Sequence, residues 1–144
     1  SISVPTNEEE RRAQPVGGLV TALQAALEKR GGIWFGWNGN STSRQPPKAV
    51  ATSKIGPIDL ATIDLSRDDV NLFYTLFANR TLWPLLHNFP TRAVIRHDAY
   101  RAYRRVNRRF AESLCSILRE GDTVWVHDYH LISLGLQVQH LFSE

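Results

Sequence analysis

Apolar residues along this chain recur at two spacings, one helical and one extended, and they divide it into short elements. Leu19, Leu23, Ala26 and Leu27 fall on one face of a stretch from Leu19 to Lys29. Gly17-Gly18 opens that stretch and Gly31-Gly32 closes it, which predicts an amphipathic helix with a glycine stop. Ile33 to Trp37 is short, aromatic and bounded by glycines, so it reads as a strand. Residues 38–48 hold Asn, Ser, Gly and two prolines and read as a loop. Two further strands are expected at Ala49–Ser53 and Ile58–Leu65. Ser66 with Asp69 has the spacing of a helix N-cap and starts a helix through about Phe77. Leu82, Trp83, Leu85 and Leu86 belong to a second helical piece, and residues 88–97 connect onward. Tyr103, Val106, Phe110, Leu114 and Ile117 form the buried stripe of a long helix over about Asp98 to Leu118. Gly121 is expected to stop it, Thr123 to His127 reads as a buried strand, and Leu131 to Phe142 is again helical in pattern.

Strand and helix alternate toward both ends, which favours an α/β fold with a parallel sheet covered by helices. Residues 5–16 are polar, carry Glu8, Glu9, Glu10, Arg11 and Arg12, and read as a loop. The chain has 144 residues, enough for one ordinary domain, and is 42% apolar. The formal net charge of +3 is weakly basic and fits an anionic partner such as phosphate or nucleotide. Cys115 is the only cysteine, so no internal disulfide can form, and a reducing cytoplasm is the expected compartment. No apolar run approaches the length of a membrane span, and no signal peptide is visible. Ser1 to Val4 has the look of the tail of a strand and loop, and the helical pattern at Leu131–Phe142 runs out with no cap; the chain reads as a piece cut at both ends.

Four groups of residues carry candidate chemistry. Gly17 and Gly18 precede a helix whose unpaired N–H groups suit a phosphate, and glycine allows close approach; a simple turn has the same sequence. Asp128, His127, Tyr129 and His130 follow directly on the expected strand, where ligands of parallel sheets bind. Asp128 suits sugar hydroxyls, whereas the two histidines equally suit capping of backbone groups at a sheet end. A metal on His127 and His130 would need further ligands that no second Cys or His cluster offers. Tyr74, Trp83 and His87 sit on neighbouring helical pieces; a tyrosine hydroxyl can bind phosphate and a tryptophan face can stack on a sugar, but aromatics at this spacing also build cores. Arg101, Arg104, Arg105, Arg108 and Arg109 cover the polar face of the long helix. That row reads as a solvated face more readily than as a nucleic-acid surface, since no aromatics interleave.

In order along the chain come GGL at Gly17, GGIWFGWNG at Gly31, YTLFAN at Tyr74, LWPLLH at Leu82, YRRVN at Tyr103 and WVHDYHL at Trp125. Together these resemble the N-terminal region of the trehalose-6-phosphate synthases, glycosyltransferase family 20, over nearly the whole chain. The resemblance implies a Rossmann-like N-terminal domain of a two-domain GT-B glycosyltransferase, with residues 1–144 as its partial acceptor-side domain and the donor-binding domain absent. It implies retaining transfer of glucose from UDP-glucose, or another nucleotide-glucose, to glucose 6-phosphate, with no cofactor and no metal. By motif, Gly17 and Gly18 approach the donor, Tyr74 binds the acceptor phosphate, Asp128 binds an acceptor hydroxyl, and Trp83 shapes the acceptor pocket. The substrates are then the partners; no nucleic acid or membrane is expected, and the full-length protein is a candidate homo-oligomer. Three positions depart from the family's pattern. Ser1 falls near an arginine of the phosphate clamp, Ser133 replaces a usual proline, and Gln139 falls near a usual arginine. A fragment of this kind is expected to be inactive alone. A truncated non-catalytic paralogue and a glucosylglycerol-phosphate synthase of the same family remain open beside it.

Overall fold

The structure, a computed structural model, describes residues 25–44, 46, 49–55 and 58–142. They fall into two compact units: the described parts of residues 1–40 and 49–64, and those of 41–48 and 65–144. Most of the helix expected over Leu19–Lys29 lies outside the described residues, as do Gly17 and Gly18.

In the first unit, residues 25–30 are helical. Gly31 ends that helix at φ 72° and donates its N–H to Leu27 O at 2.7 Å. This is the left-handed cap that glycine reaches without a Cβ penalty. Three strands follow: β1 (Ile33–Thr42), β2 (Ala51–Ile55) and β3 (Ile58–Ser66), in the order β1-β3-β2. β3 is central, and Leu60, Ala61 and Ile63 are buried on successive and alternate positions, as expected of a strand covered on both faces. β2 and β3 pair antiparallel, with Ala51 opposite Thr62 and Ile55 opposite Ile58. A parallel sheet was the expectation from the alternation of strand and helix toward both ends; between these two strands a connection of residues 56–57 is long enough only for an antiparallel return. β1 also runs further than its apolar start suggests, through part of the expected loop. Polar side chains hold that extension: Asn38 Nδ2 donates to Asp64 Oδ1 at 2.6 Å, and Trp37 Nε1 donates to Asn40 O at 2.6 Å.

The second unit is helical. Ser66 Oγ accepts from Asp69 N at 3.0 Å and starts α1 (Arg67–Asp69). The helix continues without a break through Val70–Leu82, where the pitch widens, and into α2 (Trp83–Leu86). The wide pitch shows in the Trp83 N–H, which donates to Ala78 O five residues back. α2 ends in a paired reverse turn: Phe89 N donates to Pro84 O at 2.8 Å and Asn88 N to Leu85 O at 3.2 Å. Asn88 sits at φ 61°, a conformation Asn tolerates at this position. A 3-10 turn, Pro90–Arg92, leads to α3 (His97–Cys115). Thr81 Oγ1 donates to Val94 O, and Val94 N donates to Arg80 O at 2.8 Å, which ties the connection back to the preceding helix.

α3 packs on the wide helix and on α4 (Leu134–Phe142). Tyr103, Val106, Phe110 and Leu114 are buried as the stripe predicts. Phe73 and Phe77 reach them from the wide helix, with ring centroids 5.8 and 4.6 Å from Tyr103. α3 stops at Cys115, three residues short of Leu118. The chain there turns on local bonds, with Arg119 N donating to an Asp122 carboxylate oxygen at 2.9 Å, and Gly121 at φ 88° lies in that turn. Thr123–His127 is irregular where a strand was expected. An extended segment becomes a strand only by pairing, and the described strands pair with one another. Trp125 is accordingly 72% exposed and Val124 39%. No described helix is long and apolar enough to cross a membrane.

Candidate functional site

The site forms where the chain turns from residue 127 into α4. Asp128 stands at φ 74° and ψ 154°, a region that glycine alone enters freely. Its carboxylate offsets the strain in two ways. One oxygen accepts the Tyr129 N–H at 2.7 Å, capping the 3-10 turn Tyr129–Leu131, and the other faces His130 Nδ1 at 3.0 Å. Half of the Asp128 side chain remains exposed, so its oxygens keep free lone pairs toward solvent.

The turn is bolted to the helices behind it. Asn107, fully buried on α3, donates through Nδ2 to Tyr103 O at 3.0 Å and to His130 O at 3.1 Å. The Tyr103 hydroxyl donates to Tyr129 O at 3.0 Å. The Tyr129 hydroxyl donates to Asn79 Oδ1 at 2.7 Å. Burial raises the pKa of both phenols; Asp128 and Tyr74 add to that for Tyr129. Both hydroxyls therefore stay protonated and act as donors.

His130 forms the contact surface for Tyr74. Their rings stack at 4.7 Å with an interplanar angle of 15°, and the Tyr129 ring stacks on His130 at 4.3 Å and 28°. Burial pushes the His130 pKa down more strongly than Asp128 pulls it up. The contact with Asp128 is then a hydrogen bond from a neutral ring and not an ion pair, which assigns the proton to Nδ1. His130 Nε2 is buried and unpaired. Because the folded pKa lies below 6.5, the unfolded chain takes the proton first. This contribution to stability is complete above about pH 6.5 and is lost as the pH falls below that value. We expect unfolding free energy between pH 7 and 5 to drop more steeply in the wild type than in His130→Gln. The difference in slope is at most about 1.4 kcal/mol per pH unit for one proton. Urea titrations at each pH give both slopes, and equal slopes would exclude His130 as the source.

The structure thus joins Tyr74 with Asp128 and His130. Tyr74 is half-buried, not part of the core. Trp83 is 43% exposed and stacks on His87 at 4.1 Å, while His87 Nδ1 lies 2.8 Å from Trp83 O. These two form a separate aromatic ledge that begins nine residues further along the same run of helix. Gly17 and Gly18, the expected donor contacts, lie outside the described residues. Ser133, in place of the usual proline, accepts from Gln137 through both its carbonyl and its hydroxyl, at 3.3 Å each. Among the described residues no group of three or more His, Cys, Asp or Glu is placed to hold a metal ion, and His127 instead packs its ring at 4.3 Å from Trp125. Sequence reasoning placed Tyr103 in the core stripe and His130 as a cap of backbone groups, and it assigned no role to Asn79 and Asn107. Asn107 was the available signal, a polar residue one helical turn after Tyr103 on an apolar stripe.

This combination of an α/β chain with an aspartate held open at a stacked His–Tyr pair has close counterparts. The sequence profile of glycosyltransferase family 20 matches residues 3–144, and the chain belongs to that family. The trehalose-6-phosphate synthase of Sinorhizobium fredii is 41% identical over 131 residues, which cover 90% of this chain and 28% of that protein. An alpha,alpha-trehalose-phosphate synthase (UDP-forming) from Burkholderia vietnamiensis superposes with a TM-score of 0.85 at 37% identity, over 98% of this chain and 30% of its own. The corresponding Burkholderia xenovorans enzyme, solved in complex with glucose-6-phosphate, gives a TM-score of 0.80 at 39% identity, over 87% and 27%. The chain therefore spans under a third of the length of the relatives it matches, and its α/β fold is that of the N-terminal part of these transferases.

Proposed function

We propose that this chain is the acceptor-side part of a retaining glucosyltransferase that moves glucose from UDP-glucose to glucose 6-phosphate, forming trehalose 6-phosphate. The observation that carries the reading is the strained Asp128, whose half-exposed carboxylate is held by Tyr129 N and His130 beside the Tyr74 ring. Backbone strain of this kind persists where the surroundings over-determine it, and it clusters at ligand sites.

In this reading Asp128 accepts a hydroxyl of the acceptor sugar, a charge-assisted hydrogen bond that orients the sugar for attack. The Tyr74 hydroxyl donates to the acceptor phosphate, and stacking on His130 fixes the direction of that donor. The Trp83 face covers the sugar and sets the shape of the pocket. Gly17 and Gly18 leave room for the donor. Residues 1–144 form a partial N-terminal domain, and the departing diphosphate must be neutralised by groups that the longer relatives carry beyond the matched region. The lone Cys115 fits a cytoplasmic setting.

The test is an assay of trehalose 6-phosphate formation from UDP-glucose and glucose 6-phosphate. The chain alone is expected to give no turnover. Joined to the remaining C-terminal portion of the Sinorhizobium fredii relative, it is expected to turn over with glucose 6-phosphate and not with glycerol 3-phosphate. Preference for glycerol 3-phosphate would move the assignment to a glucosylglycerol-phosphate synthase. A folded but inert joined protein would favour a non-catalytic binding role.

A further inference from the structure

A row of arginines on α3 borders a groove against α4. Arg101, Arg104, Arg105 and Arg108 face Gln137, His140 and Leu141 of α4 across a groove of about 520 Å³. The four arginines fall at i, i+3, i+4 and i+7, one helix face, and their Cα atoms span about 10 Å along the axis. Their charge is unevenly matched. Arg105 is paired with the buried Asp69 carboxylate, and Arg108 with Glu112 at 3.0 Å. Among the described residues Arg101 and Arg104 have no carboxylate partner, so the end of the groove nearest the start of α3 carries two unmatched guanidinium groups.

We propose that this groove binds a compact oligophosphate, an anion with two or three linked phosphoryl groups. Guanidinium forks match phosphate oxygens two at a time, and each such pair is charge-assisted. A single phosphate would engage the unmatched Arg101–Arg104 end alone, whereas a linked phosphate extends along the groove to Arg108, whose partner Glu112 is exposed on the same helix. A nucleic-acid strand fits less well. Sequence-tolerant binding of single strands needs a series of aromatic faces for successive bases, and His140 supplies the one ring among the groove's lining residues. The site is separate from the one around Asp128, and nothing in it depends on the transferase reading.

Calorimetric titration of the 144-residue chain with inorganic tripolyphosphate tests the proposal. Saturable one-to-one binding is expected, at least tenfold tighter than orthophosphate and weakened by added salt. The double variant Arg101→Gln/Arg104→Gln, at two exposed residues with no carboxylate partner among the described residues, is expected to bind at least tenfold more weakly, with an unchanged circular dichroism spectrum and melting temperature. The lysine pair Arg101→Lys/Arg104→Lys keeps the charge without the fork and is expected to fall between. Asp128→Asn is expected to bind tripolyphosphate as the wild type does. Absence of binding to the wild type, equal binding by the glutamine variant, loss of binding in Asp128→Asn, or binding only of long single-stranded RNA would each overturn the proposal.

Discussion

Asn107→Leu is expected to cost this chain about 2–3 kcal/mol of stability, although the two side chains are close in size and the site is fully buried. Leucine removes both hydrogen bonds from Nδ2, to Tyr103 O at 3.0 Å and to His130 O at 3.1 Å. Tyr103 O keeps its intrahelical N–H partner, but His130 O loses the donor that holds it, and a buried group left unsatisfied costs about 1–3 kcal/mol. The added apolar burial offsets part of that loss. The Asn107 Oδ1 atom has no partner in the wild type, so nothing is forfeited there. Tyr103→Phe deletes only the hydroxyl bond to Tyr129 O and is expected to cost about 0.5–1.5 kcal/mol. Urea unfolding of the wild type and both variants measures these differences. A loss under about 0.5 kcal/mol for Asn107→Leu would show that the Tyr129–Leu131 turn is held by something other than α3.

The arrangement around Asn107 also shows how far the sequence could be read. The stripe on α3, the Ser66 cap, the glycine stop at Gly31 and the strand at Ile58 were legible because each depends on neighbours in the chain. Helical spacing, a hydroxyl three residues before an N–H, and a residue that tolerates positive φ are all local facts. The antiparallel return between β2 and β3 was also local in origin, since it follows from a two-residue connection, but alternation of element types masked it. Thr123–His127 has strand composition and yet forms none, because pairing depends on a second strand that composition does not report. Tyr74, Trp83 and Asp128 were reached through family motifs. What the motifs did not reveal was that His130 is the surface against which Tyr74 is set. Nor did they reveal that Asp128 holds its own turn together. The first role depends on residues 56 positions apart meeting in space; the second is local, but it rests on a positive φ at Asp128 that the residue type does not announce.

That double role makes Asp128 the most informative position. In Asp128→Asn the amide oxygen can still accept the Tyr129 N–H, the amide NH2 can donate to His130 Nδ1 once the neutral ring carries its proton on Nε2, and asparagine tolerates positive φ better than most residues. The fold is therefore expected to survive, with the melting temperature nearly unchanged. The lost negative charge removes a charge-assisted hydrogen bond to the acceptor, worth about 1.5–3 kcal/mol. This corresponds to a fall of roughly 10- to 150-fold in kcat/KM for glucose 6-phosphate. The direct measurement is kcat/KM for glucose 6-phosphate, with the melting temperature beside it, for wild type and Asp128→Asn in the chain joined to the Sinorhizobium fredii remainder. The account predicts a loss within that range at an unchanged melting temperature. A melting temperature lowered by many degrees with unchanged kinetics of the folded fraction would contradict it, because Asp128 would then serve the turn alone.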